Sequence, residues 1–192
     1  MQAHPYFGVY AVAFDTGLRR GELLGLTPDD LYLDAAVPYL RVRRHLHQDG
    51  STDEPKTNAA KRRVTLPTAA TAAVLREALA RRADPARPAH APQLWLDHRG
   101  RPLSPGAVGK AFVRLVGAFV RSPAGVECGA PMITLHGTRH SFYVNCRAAG
   151  TSASTASRLL GHTSEVFSQI TYGHLTDEEG DTLVALYERD AA

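Results

Sequence analysis

Apolar residues dominate the stretch from His4 to Thr16, which predicts a helix closed by Gly17 as its C-cap. Arg19 to Leu26 predicts a second, short helix. Thr27-Pro28-Asp29-Asp30 then reads as a fresh N-cap, with proline at the first position and acids in the first turn. Tyr39 to Leu46 alternates, with Leu40, Val42 and Arg44 on one face and Arg41, Arg43 and His45 on the other. This is the pattern of a half-buried strand. Gln48 to Ser51 is a turn. A second short strand is expected around Glu54 to Thr57 and a third at Arg63 to Leu66, completing a small three-stranded antiparallel sheet.

The rest of the chain predicts helices. Thr68 to Arg82 is rich in Ala and Leu, and Ser104-Pro105 caps a helix reaching about Val120. Ala83 to Pro92 and Arg121 to Pro131 read as loops, and Leu94-Trp95-Leu96 as a short apolar segment between turns. Thr138 to Ala149 is a helix ended by Gly150, Thr151 to Leu160 a helix ended by Gly161, and Ser164 to Tyr172 a third. Thr176 and Glu179 form a capping box for a last helix, Asp177 to Arg189. The expected class is α+β, mostly α-helical.

Composition narrows the setting. The 192 residues suit one domain with a real core, 44% of them apolar and 21% charged. The net charge of +3 comes from 22 basic and 19 acidic residues, and the isoelectric point of about 9.0 is compatible with a nucleic-acid partner. Arginines cluster at Arg19-Arg20 and Arg41 to Arg44, and basic residues again at Lys61 to Arg63. Arginine is the side chain suited to bidentate phosphate contacts. Cys128 and Cys146 have no metal-ligand spacing, which fits a reducing cytoplasm. Neither a leader nor a membrane-length apolar run is visible.

The chemistry lies in dispersed polar residues. Displacement at a phosphodiester gathers charge on the non-bridging oxygens, so catalysis requires positioning and positive charge. Arg19 and Arg139 are candidates for that charge. His136 and Arg139 share a helical face, and His136 and His162 can serve as base or hydrogen-bond donor. Tyr172 can attack phosphorus, and Lys56 can protonate the leaving oxygen. Glu22 lies one turn beyond Arg19 and can orient it. Each of these residues alone reads as readily as surface charge, a helix cap or a packed aromatic.

Together they resemble a known family. Thr16-Gly17-Leu18-Arg19-Arg20-Gly21-Glu22-Leu23 resembles the first arginine box of tyrosine recombinases (phage-integrase-like proteins). His136-Gly137-Thr138-Arg139-His140 resembles their second box. Leu160-Gly161-His162 with Tyr172 resembles the final histidine and nucleophile, and Pro55-Lys56-Thr57 the hairpin lysine. The resemblance runs from about Tyr6 to Leu175. It implies the fold of that catalytic core and a site in which Arg19, Lys56, His136, Arg139 and His162 surround a scissile phosphate, with Tyr172 as nucleophile and Glu22 as supporting acid. It further implies a site-specific DNA recombinase working through a 3′-phosphotyrosyl intermediate, with no metal or ATP as cofactor. The expected partner is double-stranded DNA, bound as a homotetramer by a chain that is monomeric when free, with no membrane. The Asp177 to Arg189 helix would dock on a neighbouring protomer, and Arg41, Arg43, Lys61 and Arg62 would touch DNA backbone.

The chain departs from the family pattern in places. Thr138 stands where leucine is usual, Thr151 to Ser157 is more polar than usual, and His162 and Tyr172 stand ten positions apart, one more than the commoner spacing. The first box begins at Thr16, so residues 1–192 are expected to form a single catalytic domain without the family's N-terminal core-binding domain. Other readings are a type IB topoisomerase-like enzyme, an inactive or truncated recombinase fragment acting as a DNA-binding protein through a helix-turn-helix-like Thr151 to Tyr172, and a metal enzyme using His45 and His47 or His136 and His140.

Overall fold

The computed structural model describes residues 4–54 and 61–161. Its elements are helix α1 (Phe7–Thr16), helix α2 (Arg20–Gly25), a 3-10 turn at Pro28–Asp30, strands β1 (Leu31–Tyr32), β2 (Tyr39–Arg41), β3 (His45–Leu46), β4 (Thr52–Asp53) and β5 (Arg63–Thr65), then helices α3 (Ala69–Ala83), α4 (Pro105–Val120), α5 (Pro123–Glu127), α6 (Gly137–Ala148) and α7 (Ala153–Leu160). Helix ends follow the local chemistry. Thr68, Ser104, Ser122 and Ser152 each accept a backbone N–H in the first turn of the following helix.

The small sheet is antiparallel and runs β1-β2-β5, with Leu40 opposite Val64 and Tyr39 opposite Thr65. The edge strand β1, Leu31–Tyr32, was not anticipated. It is held by pairing to β2 and by the stacked rings of Tyr32 and Tyr39, 4.5 Å apart. The strand expected over Tyr39 to Leu46 is broken in two. Beyond Val42, whose N–H still donates to the Arg62 carbonyl at 2.9 Å, the chain leaves the sheet, and β3 pairs instead with β4 in a separate hairpin. The break has an electrostatic cause. Asp30 is fully buried, and Arg44 donates to its Oδ2 at 2.7 Å while Arg43 Nε stands 3.6 Å from its Oδ1. The loop expected at Arg121 to Pro131 contains α5, capped by Ser122. The strand expected at Glu54 to Thr57 and the helices Ser164 to Tyr172 and Asp177 to Arg189 lie wholly or largely outside the described residues.

One core joins α1, α2, the sheet, α3 and α4 through Val9, Leu24, Leu40, Leu75 and Phe112. A smaller cluster of Tyr143, Ala156 and Leu160 sits between α6 and α7. Gly17 links the two. Its φ of 60° ends α1 in the left-handed region, and a Cβ there would stand 2.6 Å from Leu160 Cδ2 and 2.7 Å from Phe142 Cδ1. Only glycine lets α6 and α7 close against the end of α1, which brings three distant segments to one place.

Candidate active site

Helix α2 starts directly after the first expected site residue, Arg19. Arg19 is the N-cap, and its backbone N–H and Nη1 donate to Glu22 Oε2 and Oε1 at 2.8 and 2.9 Å. Glu22 is 4% exposed, so its carboxylate is a buried acid at a helix N-terminus. Burial raises it, but hydrogen bonds and charge from Arg62 and Arg19 reverse this and bring it to about 2. Near neutral pH the carboxylate is thus an anion paired with Arg19.

Helix α6 supplies the second group. His136 precedes it, and Arg139 lies one turn on, 1% exposed. Arg139 donates through Nη1 to the carbonyl of Gly17 and through Nη2 to that of Leu160 at 2.8 Å. Thr138, at the usual leucine position, is fully buried and donates its hydroxyl to the Leu135 carbonyl at 2.9 Å, so the polar substitution is satisfied. Partial burial, then the charges of Arg139, Arg19 and Arg20, push the His136 imidazole below its ordinary range. Those charges act together on one histidine, although residues 19 and 139 are far apart in sequence.

Arg19, Arg20 and His136 line a cleft of about 970 Å³ between the start of α2, the β3 strand and α4. Lys110 and Arg114 of α4, with His45 and His47, add basic side chains to a wall that also holds Leu46, Pro105, Val113 and Leu135. Arg139 lies behind this wall rather than in it.

Other expected residues divide by exposure. Arg41 is exposed and stacks over Tyr32, its Cζ 5.1 Å from the ring centre. Lys61 is exposed and paired with Glu54. Arg43 is partly exposed and donates to the Tyr32 hydroxyl at 2.8 Å. Arg62, expected on DNA backbone, is turned inward. Its side chain is 8% exposed and meets Glu22. Lys56, His162 and Tyr172 lie outside the described residues.

Sequence reasoning missed two features. His45 packs so closely on Gly21 that a Cβ there would stand 2.2 Å from its ring. The sequence offered it only as a metal-ligand candidate beside His47, not as a side chain packed on the first turn of α2. The pairing of Arg62 with Glu22 spans 40 positions and carries no local signal. Among the described residues no group of three or more His, Cys, Asp or Glu side chains is arranged to hold a metal, and no helix is long and apolar enough to cross a membrane.

Comparison with known proteins decides the family. The model of the phage integrase family matches residues 5–179. The chain belongs to the phage integrase family. A tyrosine recombinase XerC-like protein of Caldanaerobacter subterraneus subsp. tengcongensis is 25% identical over 199 residues, covering 93% of this chain and 48% of the relative. This integrase-family chain therefore spans about half the length of that curated relative. The Tn1549 transposon integrase, solved in complex with transposon right end DNA, is 26% identical with a TM-score of 0.71, over 97% of this chain and 59% of that one. XerA recombinase shares the fold, with a TM-score of 0.70 at 21% identity over 98% of this chain and 58% of that one. The fold is that of a tyrosine recombinase catalytic domain, mostly helical with a small antiparallel sheet.

Proposed function

We propose that this chain cuts and rejoins DNA as the strand-transfer unit of a site-specific recombinase. Tyr172 passes its phenol proton to His136 or His162 and attacks the scissile phosphorus, a 3′-phosphotyrosyl bond forms, and the 5′-oxygen leaves with a proton from Lys56. The bond energy is kept in the phosphotyrosine, so rejoining needs no ATP. Arg19 offers its guanidinium from the cleft wall to the non-bridging oxygens. Arg139, buried behind that wall, adds fixed positive charge where the surroundings screen it little. His136 and His162 exchange protons or donate to phosphate. Exposed Arg41 and Lys61, with the partly exposed Arg43, contact DNA backbone, and four protomers act on two duplexes. The reading is carried by the convergence of Arg19, Glu22, His136 and Arg139 from two distant boxes. It is supported by the family match and by the DNA-bound integrase of the same fold.

The test is a nicked suicide duplex carrying the cognate site, incubated with wild type and Tyr172→Phe in EDTA. A covalent protein–DNA band is expected from wild type alone. No band from this chain, even after fusion to a core-binding domain, would leave a non-catalytic DNA-binding protein.

A further inference from the structure

Arg62 is flanked by exposed Lys61 and Arg63, yet its own side chain is 8% exposed. It reaches inward from the start of β5. Nη1 donates to Glu22 Oε1 at 3.1 Å, Nη2 to Glu22 Oε2 at 3.0 Å, and Nε to the Leu159 carbonyl at 3.0 Å. The Arg62 side chain also packs against Gly161. A Cβ at that position would stand 2.8 Å from Nη1 and 3.0 Å from Cζ. Gly161 ends α7 with φ 71° and is followed directly by His162 in the sequence. Glu22, for its part, holds Arg19 through Nη1 and the backbone N–H.

We propose that Arg62 is a positioning residue for strand transfer, fixing Arg19 through Glu22 and setting the Leu159–Gly161 turn that precedes His162 in the sequence. This rests on the recombinase reading above. The residue type is what the geometry demands. A carboxylate shared by two guanidinium groups needs donors aimed at both oxygens, and the planar fork of arginine supplies a bidentate pair while a third N–H remains for a carbonyl. Lysine is a point charge on a flexible stem and cannot reproduce three directed bonds at once. Arg19 has a side chain 38% exposed, so its orientation depends on the buried anion beneath it. Besides Arg19 and Arg62, the charged or titratable group facing Glu22 from another described element is His45 of β3.

Arg62→Lys and Arg62→Gln distinguish positioning from plain structure. Three measurements are taken: the thermal melt, noncovalent DNA affinity in a Tyr172→Phe background, and the single-turnover rate of covalent complex formation on the nicked suicide duplex across pH. We expect the covalent rate to fall roughly 10- to 100-fold in Arg62→Lys, the range typical when an outer supporting partner is lost. DNA affinity and folding should hold in that variant. The acid limb of the rate profile should move up in Arg62→Gln, because Glu22 would then protonate nearer its ordinary range. In Arg62→Ala, added guanidinium ion should restore part of the rate. A lysine variant as fast as wild type, or a loss of rate matched by an equal loss of DNA affinity, would overturn the proposal. The Glu22 carboxyl titration, followed by NMR in wild type and Arg62→Gln against Glu22→Gln as the assignment control, needs no activity. If the wild type forms no covalent complex, the recombinase reading fails. An unmoved Glu22 titration in Arg62→Gln sinks the Arg62–Glu22 coupling itself.

Discussion

Arg139 donates from Nη1 to the carbonyl oxygen of Gly17, 122 positions earlier in the chain. With its second bond to the Leu160 carbonyl, this guanidinium ties the end of α1 to the end of α7. The first box, the second box and the turn before His162 are thus fastened at one buried point. Replacement by methionine, of similar reach and no charge, leaves two buried carbonyls without these donors. The expected cost is about 3 kcal/mol of unfolding free energy, measured by urea denaturation at pH 7. A loss below about 1 kcal/mol would mean that those carbonyls find other donors and the fastening is not energetic.

Glu22 makes stability depend on acid. Its folded carboxyl sits at about 2 against an ordinary 4.5, lowered because Arg62 and Arg19 outweigh burial. A depressed acid contributes stability that is complete above the unfolded value and lost as pH falls through the folded one. The window is therefore from about pH 5 down to about pH 2, and the contribution is on the order of 3 kcal/mol. In Glu22→Gln, unfolding free energies at pH 5 and pH 3 should lie closer together than in wild type. Parallel acid losses in both proteins would assign the acid sensitivity to other carboxylates.

Much of this was legible in the sequence because the signals are local. The proline after Ser104 and the glycines at 17 and 161 state where helices begin and end, and the ends of α1, α4 and α7 fall there. The alternation from Tyr39 to Leu46 misled because side-chain period reports which face is buried, not which partner a strand takes. Leu40 and Val42 are buried as the pattern requires, yet the backbone turns between them and Leu46 to bring Arg43 and Arg44 to Asp30. The boxes gave Arg19, His136 and Arg139 by residue type. That Arg139 would lie behind the cleft, and that Arg62 would face inward while its neighbours face out, depends on contacts across 21 to 122 positions. A single chain's local pattern does not carry such contacts.

Glycine replacements separate backbone strain from crowding. Gly17 and Gly50 both have positive φ, 60° and 87°. A Cβ at Gly50 meets nothing within 4 Å, whereas at Gly17 it meets Leu160 and Phe142 below 3 Å. Gly50→Ala should cost about 1 kcal/mol, the left-handed penalty alone. Gly17→Ala should cost at least about 2 kcal/mol more, since α6 and α7 must move away from α1. Chemical denaturation of the two variants side by side checks this. Equal costs would mean that the α1–α7 approach is loose.

His136 gives a charge test that needs no DNA. Burial, Arg139, Arg19 and Arg20 together hold its imidazole below the ordinary histidine value of 6.5. The shift favours the neutral imidazole near pH 7. A histidine lowered by folding contributes stability present above its unfolded value and lost as pH falls through the folded one, so acidification from pH 7 towards 5 should destabilise the protein through this group. Arg20 is the exposed member of the set. Arg20→Gln removes one positive charge without opening the core, and the His136 ring, followed by its NMR proton shifts, should then titrate at higher pH. The difference between the two proteins should shrink as salt rises from about 0.05 to about 0.5 M, because Arg20 acts through solvent. An unchanged titration in Arg20→Gln at low salt would leave burial and Arg139 as the whole cause, and would remove Arg20 from any part in tuning the site.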